Sequence, residues 1–483
     1  MIQTKIIATI GPASDSEETL EALLESGVNV FRLNFSHGAL EQHARTYDRI
    51  RSVCRRHAAP AAVMVDLCGP KIRVDPVEDD GIRLSPGDRI DLVADHVVGS
   101  AERFSTNRPE LVREVGPGQR ILIDDGAIRL RVEDPGADRL RCLCEVGGLI
   151  QTRKGVNLPD SSLKMSALSQ KDHEDLAWAL EHGADYVAMS FVRTASDLRE
   201  LRDLIPLARD SCGVIAKIET ALAVDNLDEI IESADVVLIA RGDLGVELDL
   251  ARVPLIQKDI TRRCQLAGKP VIVATQMLQS MVSQPTATRA EVGDVANAIL
   301  DAADAVMLSA ETSVGDYPVQ SVRMLTDIAR QTEAFLAKRR DLAAHDAASL
   351  SPRVPTAVAH GTSLLARDLD ARLVAVWTQT GNTARLLSKC RLPMPVVGLS
   401  PDDHVCRRMA MYFGIMPCRL SRDEEVLSML RDVDLMLLER GLAERGDMIV
   451  VVAGTRLQQV GSTNALFIHL VGDSAAGMPE ITG

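Results

Sequence analysis

Short apolar, β-branched runs recur along the chain, and each is followed by a stretch whose apolar residues repeat at helical spacing. Eight such runs stand out: Lys5–Ile10, Val28–Phe35, Ala61–Leu67, Tyr186–Phe191, Gly213–Glu219, Val236–Arg241, Pro270–Gln276 and Ala305–Ser309. They are apolar continuously rather than alternately, the pattern of parallel strands covered on both faces. Eight β/α units in a row predict a closed (β/α)₈ barrel. The first helix carries its own signals: Ser14-Asp15-Ser16-Glu17 predicts a capping box, Leu20, Leu23 and Leu24 form an apolar stripe, and Gly27 ends it. Strand starts lie about 20 to 35 residues apart, one β/α unit each. The interval from Leu67 to Tyr186 is far longer and requires an inserted module.

The insertion reads as all-β. Ile82-Arg-Leu, Arg89-Ile-Asp-Leu-Val, Arg120-Ile-Leu-Ile and Ala127-Ile-Arg-Leu-Arg-Val are short alternating runs, punctuated by Pro86-Gly87, Asp125-Gly126 and Pro135-Gly136. A small β-barrel is the simplest arrangement for them. After Ser309 the pattern predicts a long helix near Val319–Arg340, then an Ala- and Ser-rich joint with Pro352 and Pro355. The rest alternates again: helix Thr356–Leu369, strand Leu373–Thr378, helix Thr383–Cys390 and strands Val396–Leu399 and Met448–Ala453, as in an open α/β domain. The expected organisation is a barrel over 1–69 and 169–340, an inserted lid over 70–168 and a C-terminal α/β domain over 341–483.

Composition narrows the class. The chain has 483 residues, 46% hydrophobic and 25% charged, with a net charge of −14. That charge argues against a nucleic-acid backbone as the main partner. It leaves anionic small molecules open, because local Lys, Arg and metal decide that. The nine cysteines include one C-x-C, Cys142 and Cys144, with no second pair at zinc spacing. They read as reduced thiols of a cytoplasmic protein. Neither a signal peptide nor a membrane span is expected.

Barrel enzymes carry their reactive groups at the C-terminal ends of the strands, and those ends are where this sequence turns polar. Residues i and i+2 of a strand share a face. The fifth run ends Lys217-Ile218-Glu219-Thr220 and the sixth Arg241-Gly242-Asp243, each with two charges at that spacing. Glu219 and Asp243 on neighbouring strands suit Mg²⁺, a hard cation that keeps positions open for substrate. Lys217 beside them suits an oxyanion or a phosphoryl group in flight. Gly242 lets a ligand approach the backbone. On the second strand Arg32, Asn34 and Ser36 share a face: Arg32 fits bidentate phosphate recognition, and the other two offer neutral oxygens to a monovalent cation. His37, on the opposite face before Gly38, reads as a turn residue. Asp66 closes the third strand, and Lys71 and Arg73 open the insertion. Thr275 and Ser309 are hydroxyls at the mouth, fit either to relay a proton or to cap the following helix.

These residues resemble the pyruvate kinase family. The matching runs are Thr4–Ser14, Asn34–Gly38, Ala216–Glu219, Ala240–Glu247, Ala274–Leu278, Pro285–Glu291, Asp294–Asn297 and Leu308–Thr312, in the family's order across the barrel. The resemblance implies the last step of glycolysis, conversion of phosphoenolpyruvate and ADP to pyruvate and ATP. It implies Glu219 and Asp243 as ligands of Mg²⁺ or Mn²⁺, and Lys217 as the group that stabilises the moving phosphoryl and the enolate. Arg32, Gly242, Asp243 and Thr275 look like substrate contacts, with Lys217, Arg32 and Thr275 carrying the chemistry. Asn34 looks like a nucleotide contact, as do Arg73 and Lys154 from Arg153-Lys154-Gly155-Val156-Asn157-Leu158-Pro159. It also implies an allosteric homotetramer and a K⁺ site at Asn34, Ser36, Asp66 and the Leu67 carbonyl.

One departure from the family pattern stands at that K⁺ site. Many members carry Glu where Lys71 stands here, and Thr where Leu67 stands. The expectation is that the Lys71 ammonium supplies the charge and makes added K⁺ dispensable. In the C-terminal domain, Thr378-Gln-Thr-Gly-Asn-Thr-Ala384 and Gly461-Ser-Thr-Asn464 read either as two loops of a site for a phosphorylated effector or as plain turns. Two other classes fit parts of the pattern: another Mg²⁺ enzyme on a related barrel, such as a phosphoenolpyruvate mutase or an enolate-forming lyase, and a non-catalytic metabolite sensor built on this fold. Arg73, Lys154 and the lid count against the first. Intact Lys217, Glu219, Asp243 and Thr275 count against the second.

Overall fold

Eight parallel strands close into a barrel: β1 (Lys5–Ile10), β2 (Val28–Asn34), β3 (Ala62–Asp66), β4 (Tyr186–Met189), β5 (Gly213–Ile218), β6 (Val236–Ala240), β7 (Val271–Ala274) and β8 (Ala305–Leu308). Each pairs with its sequence neighbours, and β1 pairs with β8. The computed structural model describes residues 2–79, 81–161, 166–206, 212–338, 354–421, 425–454 and 463–473. Most strands stop one or two residues before their apolar runs give way, because the last residues leave the ladder to form the mouth.

Alternation along the strands divides the core. Ile7, Val30, Met64, Ala188, Ile215, Leu238, Ile272 and Met307 fill the barrel interior. Their neighbours, among them Phe31, Leu33, Val63, Val65, Val214 and Ile239, pack outward under the helices. Both faces are dry, which is why the runs carry no polar alternation. The first helix spans Glu17–Glu25, with Leu20 and Leu23 buried. Its cap is Ser16, which accepts from the Thr19 N–H, and not Ser14 as the capping-box spacing suggests. Ser14 is spent in the preceding turn, where its hydroxyl accepts from the Gly11 N–H at 3.2 Å.

The base of the barrel carries a repeat. Asp185, Asp235 and Asp304 each precede an even-numbered strand in the related stretches Gly183-Ala-Asp-Tyr-Val187, Ser233-Ala-Asp-Val-Val237 and Ala302-Ala-Asp-Ala-Val306. Each carboxylate accepts, at 2.8 Å, an N–H from the first two residues of the odd strand beside it: Val63, Val214 and Val271. In β2, Asn29 does the same for Ile6 of β1 at 3.0 Å. The barrel is thus built of four two-strand units, each clamped at its base. An edge N–H that would otherwise be buried without a partner costs about 1–3 kcal/mol, so each clamp is a sizeable local term.

The inserted residues form a seven-stranded sheet and a two-stranded ladder of Ile82–Leu84 with Gly148–Ile150. One apolar core serves both, and it includes Cys142 and Cys144, two residues apart on the buried face of strand Arg139–Val146. The C-x-C is therefore packing, and all nine cysteines are free thiols. Asp172 ties the root of the insertion together. It accepts from the Gly69 N–H at 3.0 Å, where the chain leaves the barrel. Its other oxygen accepts from the Ser169 N–H at 2.8 Å, where the chain returns.

Past helix Pro318–Lys338, helix Val354–Asp368 opens an α/β unit. Pro355 lies in its first turn and not in a joint, since that position needs no N–H. Strands β9 (Leu373–Trp377), β10 (Val396–Ser400), β11 (Ile415–Arg419), β12 (Met448–Gly454) and β13 (Thr463–Leu470) form one sheet in the order β11-β10-β9-β12-β13. All pairs are parallel except the β12–β13 edge. This unit docks on the barrel base. Lys389 reaches Asp304 at 2.6 Å, Arg407 reaches Asp185 at 2.7 Å, and Lys5 donates to the Ile415 carbonyl at 2.6 Å. Among the described residues no helix is long and apolar enough to cross a membrane.

Candidate active site

Moving two residues from each interior side chain towards the strand end gives the ring that faces the mouth. It reads Thr9, Arg32, Asp66, Ser190, Lys217, Ala240, Ala274 and Ser309. All of the ring except Ala240 and Ala274 is polar, and Thr9, Arg32, Asp66, Ser190 and Lys217 are tightly connected. The Ala240 and Ala274 side is small, which leaves room over it for a ligand.

Asp66 is the hub of this network. Its Oδ2 accepts from Arg32 Nε at 2.8 Å, and Arg32 Nη2 lies 2.7 Å from the same oxygen. Arg32 Nη1 donates to Thr9 Oγ1 at 3.0 Å. Asp66 Oδ1 stands 3.2 Å from Lys217 Nζ. Lys217 also reaches Glu219 Oε1 at 3.0 Å and donates to Ser190 Oγ at 2.7 Å. Ser190 in turn donates to the Leu67 carbonyl at 2.8 Å. Burial alone would discharge these groups. Around Lys217 the desolvation is overcome by Asp66 and Glu219, which hold its ammonium above the ordinary lysine range. Asp66, equally buried, is kept below the usual carboxylate range by Lys217 and Arg32. Glu219 moves the other way: burial raises it, Lys217 opposes, and the nearby charge of Asp243 raises it further.

The i, i+2 spacing holds for Lys217 and Glu219. It does not hold for Arg241 and Asp243, because the chain turns helical at Arg241–Glu247. Arg241 swings away to Asp294 at 2.7 Å and to the Thr275 carbonyl at 3.0 Å. Asp243 stays partly exposed at the mouth, and among the described residues its carboxylate has no hydrogen bond or ion pair. A carboxylate without a partner beside a second one that its charge disfavours is a donor set suited to a hard divalent cation.

Two segments of the mouth are strained. Phe191 has φ +56°, and Thr275 and Gln276 have φ +69° and +53°. Such backbone costs on the order of 1–3 kcal/mol per residue and persists only where the surroundings enforce it. The Phe191 N–H is held by Glu219 Oε2 at 2.8 Å. Thr275 Oγ1 accepts from the Gly242 N–H at 2.8 Å and donates to the Ala274 carbonyl at 2.6 Å. Its hydroxyl therefore fastens β7 to the backbone beside Asp243. Ser309 precedes the short helix Ala310–Ser313 and makes no side-chain cap there. Glu311, which the sequence did not single out, accepts from the Leu278 N–H at 3.1 Å and the Ser309 N–H at 2.7 Å and so joins the loops after β7 and β8. Thr9 and Ser190 were missed as well, although the polar-at-a-strand-end signal that marked Arg32 and Asp66 marks them too.

The remaining sequence candidates lie around this cluster. Asn34 Oδ1 accepts from the Ser36 N–H at 3.2 Å. His37 is exposed in the following turn, and its carbonyl is 2.8 Å from His43 Nε2. Arg73 and Lys154 sit on the insertion, where strand Ile72–Arg73 pairs with Gly155–Asn157. Arg73 Nη1 donates to the Arg153 carbonyl at 3.0 Å, and Lys154 pairs with Asp124 at 2.9 Å. The Lys71 side chain lies against Gly155, where an added Cβ would be 3.2 Å from its Cε. In the C-terminal unit, Thr378 Oγ1 accepts from the Gly381 N–H at 3.0 Å, and Thr383 meets Thr463 at 2.8 Å. Gly461 and Ser462 lie outside the described residues.

A parallel barrel with a lysine, an arginine and free carboxylate charge at its C-terminal mouth, roofed by an inserted β module, defines an enzyme of anionic substrates. Comparison with known proteins makes this specific. Residues 1–322 match the family model "Pyruvate kinase, barrel domain", and residues 356–469 match "Pyruvate kinase, alpha/beta domain". The chain is 38% identical to a pyruvate kinase of Bacillus licheniformis over 479 residues, 99% of this chain and 82% of that one. Against a pyruvate kinase of Geobacillus stearothermophilus it is 39% identical over 481 residues, 98% of this chain and 81% of that one. A crystal structure of a pyruvate kinase from Cryptosporidium parvum superposes with a TM-score of 0.91 at 32% identity, covering 97% of this chain and 96% of that one. The chain belongs to the pyruvate kinase family. It is a phosphotransferase, and the family's reaction converts phosphoenolpyruvate and ADP to pyruvate and ATP.

Proposed function

We propose that Lys217, Arg32 and Thr275 carry this reaction at the barrel mouth, beside a divalent cation held by Glu219 and Asp243. The observation that carries the reading is the buried Lys217, wired to Asp66, Glu219 and Ser190 at the centre of the ring. Arg32 keeps guanidinium hydrogens beyond those taken by Asp66 and Thr9, and these bind the phosphate of phosphoenolpyruvate. Lys217 donates to the phosphoryl oxygens in flight and then to the enolate oxygen. Thr275 holds the Gly242 N–H at the start of the Gly242–Asp243 backbone, against which the substrate carboxylate rests. Mg²⁺ or Mn²⁺, when bound, supplies charge neutralisation between the two anionic substrates. Asn34, Arg73 and Lys154 take the ADP phosphates, and the insertion closes to exclude water. Pyruvate formation from phosphoenolpyruvate and ADP with Mg²⁺ or Mn²⁺, followed in a coupled assay, tests the whole reading. No pyruvate under any cation or effector condition would refute it.

The monovalent site is part of the proposal. The oxygens of Asn34, Ser36, Asp66 and Leu67 are those a K⁺ ion would use, and Lys71, just after the chain leaves the barrel, would supply the ion's charge in its place. Initial rates are expected to be the same in K⁺ and in a tetraalkylammonium salt. A large loss without K⁺ would show that Lys71 does not substitute for the ion.

Assembly and regulation complete the proposal: a cytoplasmic homotetramer with a phosphorylated effector at the Thr378–Ala384 loop. Leu466, Ile468 and Leu470 are 37%, 56% and 38% exposed along the outer edge strand β13, a surface suited to a second copy. The contact of Thr383 with Thr463 brings the two candidate effector loops together. Sedimentation and effector titration check both points.

A further inference from the structure

Where the inserted module meets the barrel, one buried carboxylate faces it. Glu247 closes the short helix Arg241–Glu247, four residues after Asp243 and so on the same helix face. It is 7% exposed. Its Oε1 accepts from Asn157 Nδ2 at 3.1 Å, a hydrogen bond from the last residue of the lid strand Gly155–Asn157. The lid also comes close one residue earlier, where a Cβ added at Gly126 would lie 3.6 Å from Val246. On the barrel side the Ala221 backbone offsets part of the rise that burial gives this carboxylate's pKa. Ala221 begins the helix directly after Glu219 and Thr220. Glu247 thus stands between the loop that follows Glu219, the helix that carries Asp243, and the lid. The lid strand it holds begins beside Lys154 and pairs with Arg73.

The geometry points to Glu247 as a positioning residue that seats the lid on the barrel through Asn157 and thereby places Arg73 and Lys154 over the nucleotide. This rests on the reading of the insertion as the nucleotide lid. An amide donor on a buried carboxylate is a charge-assisted contact, stronger than a neutral one and directional. It fixes the lid strand in register with the mouth. Phosphoenolpyruvate is bound by the barrel alone, so the contact acts on one substrate and not the other.

Asn157→Ala, Glu247→Ala, Glu247→Gln and the double alanine variant test this by steady-state kinetics in both substrates. Lys154→Ala reports on the lid reading itself. Asn157→Ala and Glu247→Ala are each expected to raise KM for ADP about tenfold, the scale of one hydrogen bond to a charged group, with KM for phosphoenolpyruvate unchanged. The double variant is expected to be no worse than Glu247→Ala, because both remove one contact. Glu247→Gln keeps an oxygen for Asn157 and restores most of the ADP affinity. Should Glu247→Ala fail to fold, Asn157→Ala, half-exposed on the lid, decides alone. An unchanged KM for ADP in Asn157→Ala, or equal changes for both substrates, overturns the proposal if Lys154→Ala still raises KM for ADP. If Lys154→Ala leaves it unchanged too, the lid reading has failed and the proposal falls with it.

Discussion

Replacing Lys217 with methionine is expected to lower kcat by about a hundred- to a thousandfold, the cost of losing one preorganised charge donor at a reacting oxygen. KM for phosphoenolpyruvate should change much less, since Arg32 and the Gly242–Asp243 backbone still hold the ground state. Methionine fills nearly the same volume, and its neighbours are not left stranded. Asp66 keeps Arg32, and Glu219 keeps the Phe191 N–H. The loss is therefore one of charge at the reacting centre rather than of fold. Lys217→Arg should not rescue it, because Ser190, Asp66 and Glu219 converge on a point charge, and a planar fork cannot reproduce that geometry. The pH profile carries a second signature. Asp66 and Glu219 hold the Lys217 ammonium above the ordinary lysine range against the pull of burial. It stays charged throughout the neutral and mildly alkaline range and sets no alkaline limb there. Steady-state kinetics of pyruvate release check both points. A Lys217→Met enzyme within tenfold of the parent would move the charge stabilisation to another group.

How far the sequence reaches depends on which residues follow a period. The barrel strands were legible because burial on both faces makes them continuous apolar runs, and the site was legible because charge breaks those runs at one end. Lys217 and Glu219 could be paired from spacing, since the strand continues to Ile218. The same argument misplaced Arg241, because the change from strand to helix at Ala240 alters the period from 2 to 3.6 and sends residues two apart to different sides. Strands β11 and β13 and helices Asp403–Met409 and Val426–Glu439 were not recognised in the C-terminal part. β11, Ile-Met-Pro-Cys-Arg, is short and contains proline at a sheet edge, which weakens its strand signal. The clamp residues Asp185, Asp235 and Asp304 were hidden for another reason. A lone aspartate before a strand reads as a loop residue, and only the shared Ala-Asp context of three strands makes it a repeat.

That repeat carries the second large effect. Asp304→Asn is expected to destabilise the protein by about 3–5 kcal/mol, the usual cost of removing one partner from a buried ion pair. Asparagine can still accept from the Val271 N–H, so the strand clamp survives and the variant isolates charge. What is lost is the counter-ion of Lys389 at 2.6 Å and of Arg391 at 3.1 Å, with Asp304 fully buried between them. Burial already pulls Lys389 down to about 8, with Asp304 the main opposing influence. Without Asp304 it drops further, and the sign of the pH dependence follows. A lysine whose folded pKa lies below its unfolded value binds fewer protons in the native state, so stability rises with pH between the two values. The parent gains from about 8 upwards. The variant begins to gain at lower pH, so its deficit is largest in the acidic and neutral range and narrows as pH approaches 8. Adding Lys389→Met to Asp304→Asn removes one of the two stranded cations and should recover part of the loss. Urea unfolding at several pH values checks these outcomes, with hydrogen exchange at β7, β8 and the Asn382–Lys389 helix locating the change. Because Lys389 and Arg391 belong to the C-terminal unit, the first region to lose protection should be the joint between that unit and the barrel base, with the Lys217 cluster at the opposite end of the strands still intact. A variant as stable as the parent at neutral pH would mean that Lys389 loses its proton at little cost when Asp304 is gone, and that the Asp304 clamp on Val271 is the larger part of that residue's role.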